Sequence, residues 1–100
     1  MVLLPIEFHP EAIAEAHEAR EWYAERSEAA AGQFMDELDA AIDAIQRTPD
    51  RMAVYLHGTR RYLLKRFPYL VVFRITDELI EVVAVAHGRR KPGYWQRRAE

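Results

Sequence analysis

No cysteine occurs among the 100 residues. That excludes a disulfide framework, a thiol nucleophile and a thiolate metal site, and fits a reducing, cytoplasmic setting. Glycine and proline are sparse, four and five residues, with no Gly-rich phosphate loop, nucleophile elbow, linker or low-complexity tract. The four histidines, 9, 17, 57 and 87, lack metal-ligand spacing, so neither a metal nor a cofactor is expected. No apolar run approaches the ~20 residues a membrane span needs. The start, Met1 to Ile6, is too short for a signal peptide and has no basic region before it. No carboxylate pair stands out for acid–base work.

The composition is that of a globular protein, half apolar and 30% charged, and the length predicts one domain over residues 1–100. The net charge of −2 conceals a split. Residues 1–50 hold three Arg against twelve Asp or Glu, and residues 51–100 hold eleven Lys or Arg against four acids. Helices carry acids on solvated faces, which accounts for most of the first half. The clustered arginines of the second half call for a partner.

Val2 to Phe8 reads as a strand, and Pro5 favours an edge position because it cannot donate to a ladder. Pro10 suits the first turn of a helix running to about Arg26. Ala12, Ala16, Ala19 and Tyr23, flanked by Ile13, share its apolar face. Glu15, Glu18, Trp22 and Glu25 share another. Trp22 is read there as a residue at the helix margin, with an exposed partner anchor as the alternative. Ser27 caps a second helix whose stripe is Phe34, Leu38, Ala41, Ile42 and Ile45, with Asp36, Asp39 and Asp43 facing solvent. Thr48-Pro49 ends it. A connector over Arg51 to Gly58 leaves room for a short strand at Val54 to Leu56. Three strands follow, Arg60 to Lys65, Tyr69 to Ile75 and Leu79 to Ala86, joined by hairpin-length turns.

These elements predict an α+β two-layer sandwich. It has an N-terminal strand, a helical hairpin, a three-stranded antiparallel meander and a short basic C-terminal tail. The hairpin is expected to return the chain to the end it left, making the first strand antiparallel to the edge it joins. Two helices then cover one face of a four-stranded sheet. The other face and the tail are left for function.

The candidate functional set is basic: Arg60, Arg61, Lys65, Arg66, Arg74, Arg89, Arg90, Lys91, Arg97 and Arg98. Tyr62, Tyr69, Tyr94 and Trp95 lie among them, a mixture suited to single-stranded nucleic acid. His87 is a candidate general acid or base, with a structural role at a strand end as the plainer reading. An RNase mechanism would use such a base with Arg on the phosphorane. In the structural alternative, Arg60 and Arg61 cap a sheet edge and pair with the acidic helices.

The run Arg61-Tyr62-Leu63-Leu64-Lys65-Arg66-Phe67-Pro68-Tyr69, and later Val82 to Ala86 with His87-Gly88-Arg89-Arg90-Lys91-Pro92-Gly93-Tyr94-Trp95-Gln96-Arg97, resembles the RelE/ParE toxin superfamily. The closer likeness is to ParE-like plasmid stabilisation toxins. The resemblance implies a strand, two helices and three strands over essentially the whole chain. It implies the toxin of a type II toxin–antitoxin pair, a growth inhibitor acting on DNA gyrase and neutralised by a ParD-like or similar DNA-binding antitoxin. The alternative is RelE-like, ribosome-dependent mRNA cleavage. Arg61, His87, Arg90 and Tyr94 would then be the catalytic set. The Arg90–Tyr94 spacing is tighter than in RelE itself, and Pro92-Gly93 intervenes. Target contacts are expected from Arg60, Arg61, Arg89, Arg90, Tyr94, Trp95, Arg97 and Arg98, and antitoxin contacts from Trp22, Tyr23 and Phe34. A non-toxic nucleic-acid-binding module is the rival outside the superfamily.

Overall fold

A computed structural model describes residues 3–100. Of the predicted Val2–Phe8 strand, Val2 lies outside the described residues, residues 3–5 are not strand, and β1 is Ile6–Phe8. Helix α1 spans Pro10–Ala24. His9 precedes it, and the His9 ring Nδ1 accepts from the Glu11 amide at 3.1 Å. Helix α2 spans Glu28–Arg47, and the Ser27 hydroxyl oxygen accepts from the Ala30 amide at 3.2 Å. Each cap satisfies an amide that the helix itself leaves unpaired. Strands β2 (Ala53–Val54), β3 (Arg60–Leu63), β4 (Tyr69–Ile75) and β5 (Ile80–His87) complete one sheet in the order β1-β5-β4-β3-β2.

The meander is antiparallel as expected, with a bulge at Val72/Phe73. The direction of β1 is not. It pairs with β5 in parallel, Ile6 opposite Ile80 and Phe8 opposite Val82. The reason is β2, which runs antiparallel to β3. That two-residue strand adds one reversal between the helices and the meander, so the parity of every later strand flips relative to β1. The sheet consequently has five strands. β1 does occupy an edge, with Pro5 just before it.

One face of the sheet carries the main core. Phe34, Leu38, Ala41 and Ile45 of α2 and Ala12 and Ala19 of α1 bury against Val71, Phe73, Ile80, Val82 and Val85. The alanines of α1 let that helix lie close to the sheet, while Tyr23 extends the core sideways. Tyr23, Phe34, Phe67 and Tyr69 form a cluster of rings with centroids 5.0 to 6.4 Å apart. Aromatic edges meeting faces at these distances are favourable beyond the area they bury. Phe34, expected among antitoxin contacts, is 0% exposed. It sits at the centre of this cluster and serves the core.

The opposite face is not left open. Leu70, Val72, Val83, Ala84 and Ala86 are covered by the C-terminal segment, whose Trp95 is 1% exposed. Tyr55 packs beside it, ring centroids 5.8 Å apart. An apolar sheet face of this size needs a cover, and the indole provides the largest one the tail contains. Trp95 is thus a buried wedge, and the expectation that it contacts a target gives way to packing.

Candidate functional site

The site grows from an interruption in the sheet. β1 stops at Phe8 because His9-Pro10 turns the chain into α1, and the His9 amide makes a last bond to the Val82 carbonyl at 2.9 Å. Beyond that point β5 has no strand neighbour on this side. Side chains take over. The Val85 amide donates to Glu15 Oε1 at 3.0 Å, and Arg98 Nη1 donates to the Val83 carbonyl at 3.1 Å. An open sheet edge is a template for unwanted pairing, and an ion pair laid along it closes that template.

Glu15 gathers more than this. Its Oε2 accepts from the Tyr94 hydroxyl at 2.5 Å and from Arg90 Nη1 at 3.3 Å, and its Oε1 accepts from Arg98 Nη1 at 2.9 Å. The Glu15 and Arg98 side chains are 11% and 12% exposed. Arg98 also pairs through Nε with Glu11 at 3.1 Å. The Arg90 guanidinium lies 3.6 Å from the Tyr94 ring centre, and that of Arg98 lies 5.2 Å away. Burial pushes the Tyr94 phenol well above its ordinary range, and the hydrogen bond to Glu15 and the carboxylate charge push it further. For Arg98, burial alone would lower the pKa. The hydrogen bond and charge of Glu15 outweigh it, and the net shift is upward. The C-terminal strap is therefore latched to α1 through the Glu15 carboxylate, with Glu11 as a second partner of Arg98.

Beside the latch lies a groove of about 410 Å³ between α1 and the paired ends of β4 and β5. Trp22, Tyr23, Tyr69 and His87 form its walls, with Glu18 and Arg90 at its margin. The rings of Tyr69 and His87 meet edge to face at 5.0 Å. His87 Nδ1 accepts from the Arg89 amide at 3.0 Å, which orients the imidazole. Burial raises the Tyr69 phenol pKa first, and the neighbouring Tyr23 and Glu18 add to it. Trp22 is half exposed, and the Arg26 guanidinium rests 3.6 Å from its ring centre.

A second carboxylate organises the turn that carries the other basic residues. Glu37 of α2 accepts from the Lys65 amide, from the Arg66 amide at 2.8 Å and from Arg66 Nε at 3.4 Å. Burial would raise its pKa. The bonds from Arg66 and Lys65 more than offset that, and the net shift is downward.

The structure thus brings Arg90, Tyr94 and Arg98 together but holds Arg61 apart. Arg61 lies on β3, two strands from the β5 edge, with its guanidinium 4.7 Å from the Tyr55 ring centre. Arg60 donates through Nη1 to the carbonyls of Asp50 and Met52 at 3.2 and 2.8 Å, and so fastens the connector. Arg89 and Arg97 are exposed and form no ion pair among the described residues. Glu15 and Glu37 carry most of the organisation, and neither drew attention in the sequence. The one signal was the shared face of Glu15, Glu18, Trp22 and Glu25. No group of three or more potential metal ligands occurs among the described residues.

The same architecture is found in a solved structure described as the chromosomal ParDE TA system from P. aeruginosa. It matches with a TM-score of 0.74 over 85% of this chain and 96% of that one, at 17% identity. That likeness defines the class, a small α+β protein with the fold of that structure. The particular family follows from sequence. The family model described as ParE toxin of type II toxin-antitoxin system, parDE, matches residues 6–92, and the chain belongs to that family. Two curated relatives, both named Toxin ParE2, come from Mycobacterium tuberculosis strains CDC 1551 / Oshkosh and ATCC 25618 / H37Rv. Each is 36% identical over 55 residues, 55% of this chain and 52% of the relative. The match thus spans about half the length of these relatives.

Proposed function

We propose that this ParE-family toxin stops growth by binding DNA gyrase in the cytoplasm, and that a cognate ParD-like, DNA-binding antitoxin neutralises it. The observation that carries this reading is the state of the Tyr94 hydroxyl. It is bonded to Glu15 at 2.5 Å, with its acidity further suppressed by burial. Arg90 is held by the same carboxylate, and Arg61 lies two strands away. A set intended for RNA cleavage needs its acid, base and cations converging on one phosphate. This arrangement supports a contact surface instead, with the exposed Arg89 and Arg97 among the cations available to meet a target.

The test is a gyrase cleavage-complex assay run beside an assay for cleavage of translated mRNA. Wild-type protein is expected to trap gyrase on cleaved DNA and leave mRNA intact. The double variant Arg89→Ala/Arg97→Ala is expected to lose trapping without loss of thermal stability, since both side chains are exposed. Deleting residues 94–100 would not discriminate, because it also removes the buried Trp95. Tyr94→Phe is expected to retain trapping despite losing about 1–3 kcal/mol of stability with its bond to a charged group. Cleaved mRNA that disappears on Tyr94→Phe, in variants shown to be folded, would replace the gyrase reading with the nuclease one.

A further inference from the structure

Helix α1 shows, with the chain's own residues, what its acidic face accepts. Glu11, Glu15, Glu18, Trp22 and Glu25 recur at spacings of four, three, four and three, so they line one face of the helix. At one end, Arg98 and Arg90 meet Glu15 while lying over the Tyr94 ring. At the other, Arg26 meets Glu25 at 3.8 Å while lying over the Trp22 ring. At both ends, a carboxylate and an aromatic ring together hold arginine guanidinium groups, two at the first and one at the second. The pairing suits arginine because its flat cation can accept a carboxylate at its edge and a ring on its face.

Between these two occupied positions lies Glu18. Its side chain forms no ion pair or hydrogen bond among the described residues, yet it borders the groove walled by Tyr23, Tyr69 and Trp22. A carboxylate and aromatic rings are present as at the neighbouring positions, but no cation is paired with Glu18 among the described residues. We propose that this groove is the docking site for an arginine side chain presented by a partner protein, with Glu18 binding the guanidinium and the Trp22, Tyr23 and Tyr69 rings packing around it. The occupant is argued from charge complementarity. The first half of the chain is strongly acidic, and Arg90, the cation nearest the groove, is already committed to Glu15 and Tyr94. The inference rests on the antitoxin reading only for the source of that arginine. Its chemistry can be tested without any antitoxin.

The test is NMR titration of the full chain with N-acetyl-argininamide, and separately with the matching citrulline compound, which has nearly the same shape and no charge. The arginine probe is expected to shift the Trp22 indole and the amides of Ala19, Tyr69 and His87, with weak saturable affinity. Citrulline is expected to leave them in place. Glu18→Gln removes one exposed charge and is expected to weaken the arginine probe about fivefold or more while leaving the spectrum otherwise folded. Four results would overturn the proposal. They are equal shifts from citrulline, undiminished binding to Glu18→Gln, shifts confined to Tyr94 and Arg98, or no shifts at all. Failure of co-expressed antitoxin to relieve toxicity would count against the antitoxin reading alone.

Discussion

Replacing Glu15 by Gln changes one atom type at the centre of the latch, and its effect can be worked from the contacts. The amide keeps one acceptor, which can still serve the Val85 amide. It loses the second acceptor, used by Tyr94 and Arg90, and it loses the charge. Arg98 is then a guanidinium 12% exposed whose remaining carboxylate is Glu11, itself 64% exposed. A solvated partner of that kind contributes only about 0–1 kcal/mol. Removing one member of a buried pair typically destabilises by about 3–5 kcal/mol. The Val83 carbonyl still accepts from Arg98, which places the expectation near the lower bound, about 3 kcal/mol. For a domain of this size each kcal/mol moves the midpoint by about 4–8 °C, so Tm should fall by about 12–24 °C. Thermal and urea denaturation followed by circular dichroism measure this directly. The strap should loosen before the rest of the fold. In a Trp22→Phe background, Trp95 is the remaining tryptophan, and its emission should shift to the red in Glu15→Gln under conditions where the far-ultraviolet signal is intact. A Tm within about 2 °C of wild type would refute the latch. A large fall in Tm with unshifted Trp95 emission until global unfolding would refute the idea that Glu15 acts through the strap.

Two further outcomes concern the helical layer. Leu38→Ala removes a side chain only 4% exposed and should lose about 2–5 kcal/mol, whereas Ile42→Ala, half-buried at the margin, should lose less in the same urea titration; the reverse order would contradict the packing. Glu37 has a folded pKa below its unfolded one, so the stability it adds is present above the ordinary carboxylate range and is lost as pH falls through the folded value. Glu37→Gln should therefore flatten the loss of stability on going below about pH 4.5, read from urea midpoints at a series of pH values.

Much of the architecture is local and was legible in the chain. The stripe from Phe34 to Ile45 and the cap at Ser27 follow from helical periodicity and local capping chemistry, and strands β4 and β5 from apolar runs bounded by short turns. Arg90 and Tyr94 were already candidates in the sequence, though what holds them was not visible there. What the sequence did not disclose depends on residues distant in the chain. The direction of β1 turned on a strand of two residues, too short for any periodic signal. Phe34, read both as part of the helix stripe and as an antitoxin contact, and Trp95, read as a target contact, prove to be core once the ring cluster and the outer sheet face show what each covers. Glu15 sits 70 to 83 residues from the groups it binds on β5 and the strap. In sequence it is one acid among many on an acidic helix. Only the folded chain, by ending β1 early and bringing the tail across the exposed edge of β5, makes that carboxylate the group on which the basic segment is arranged.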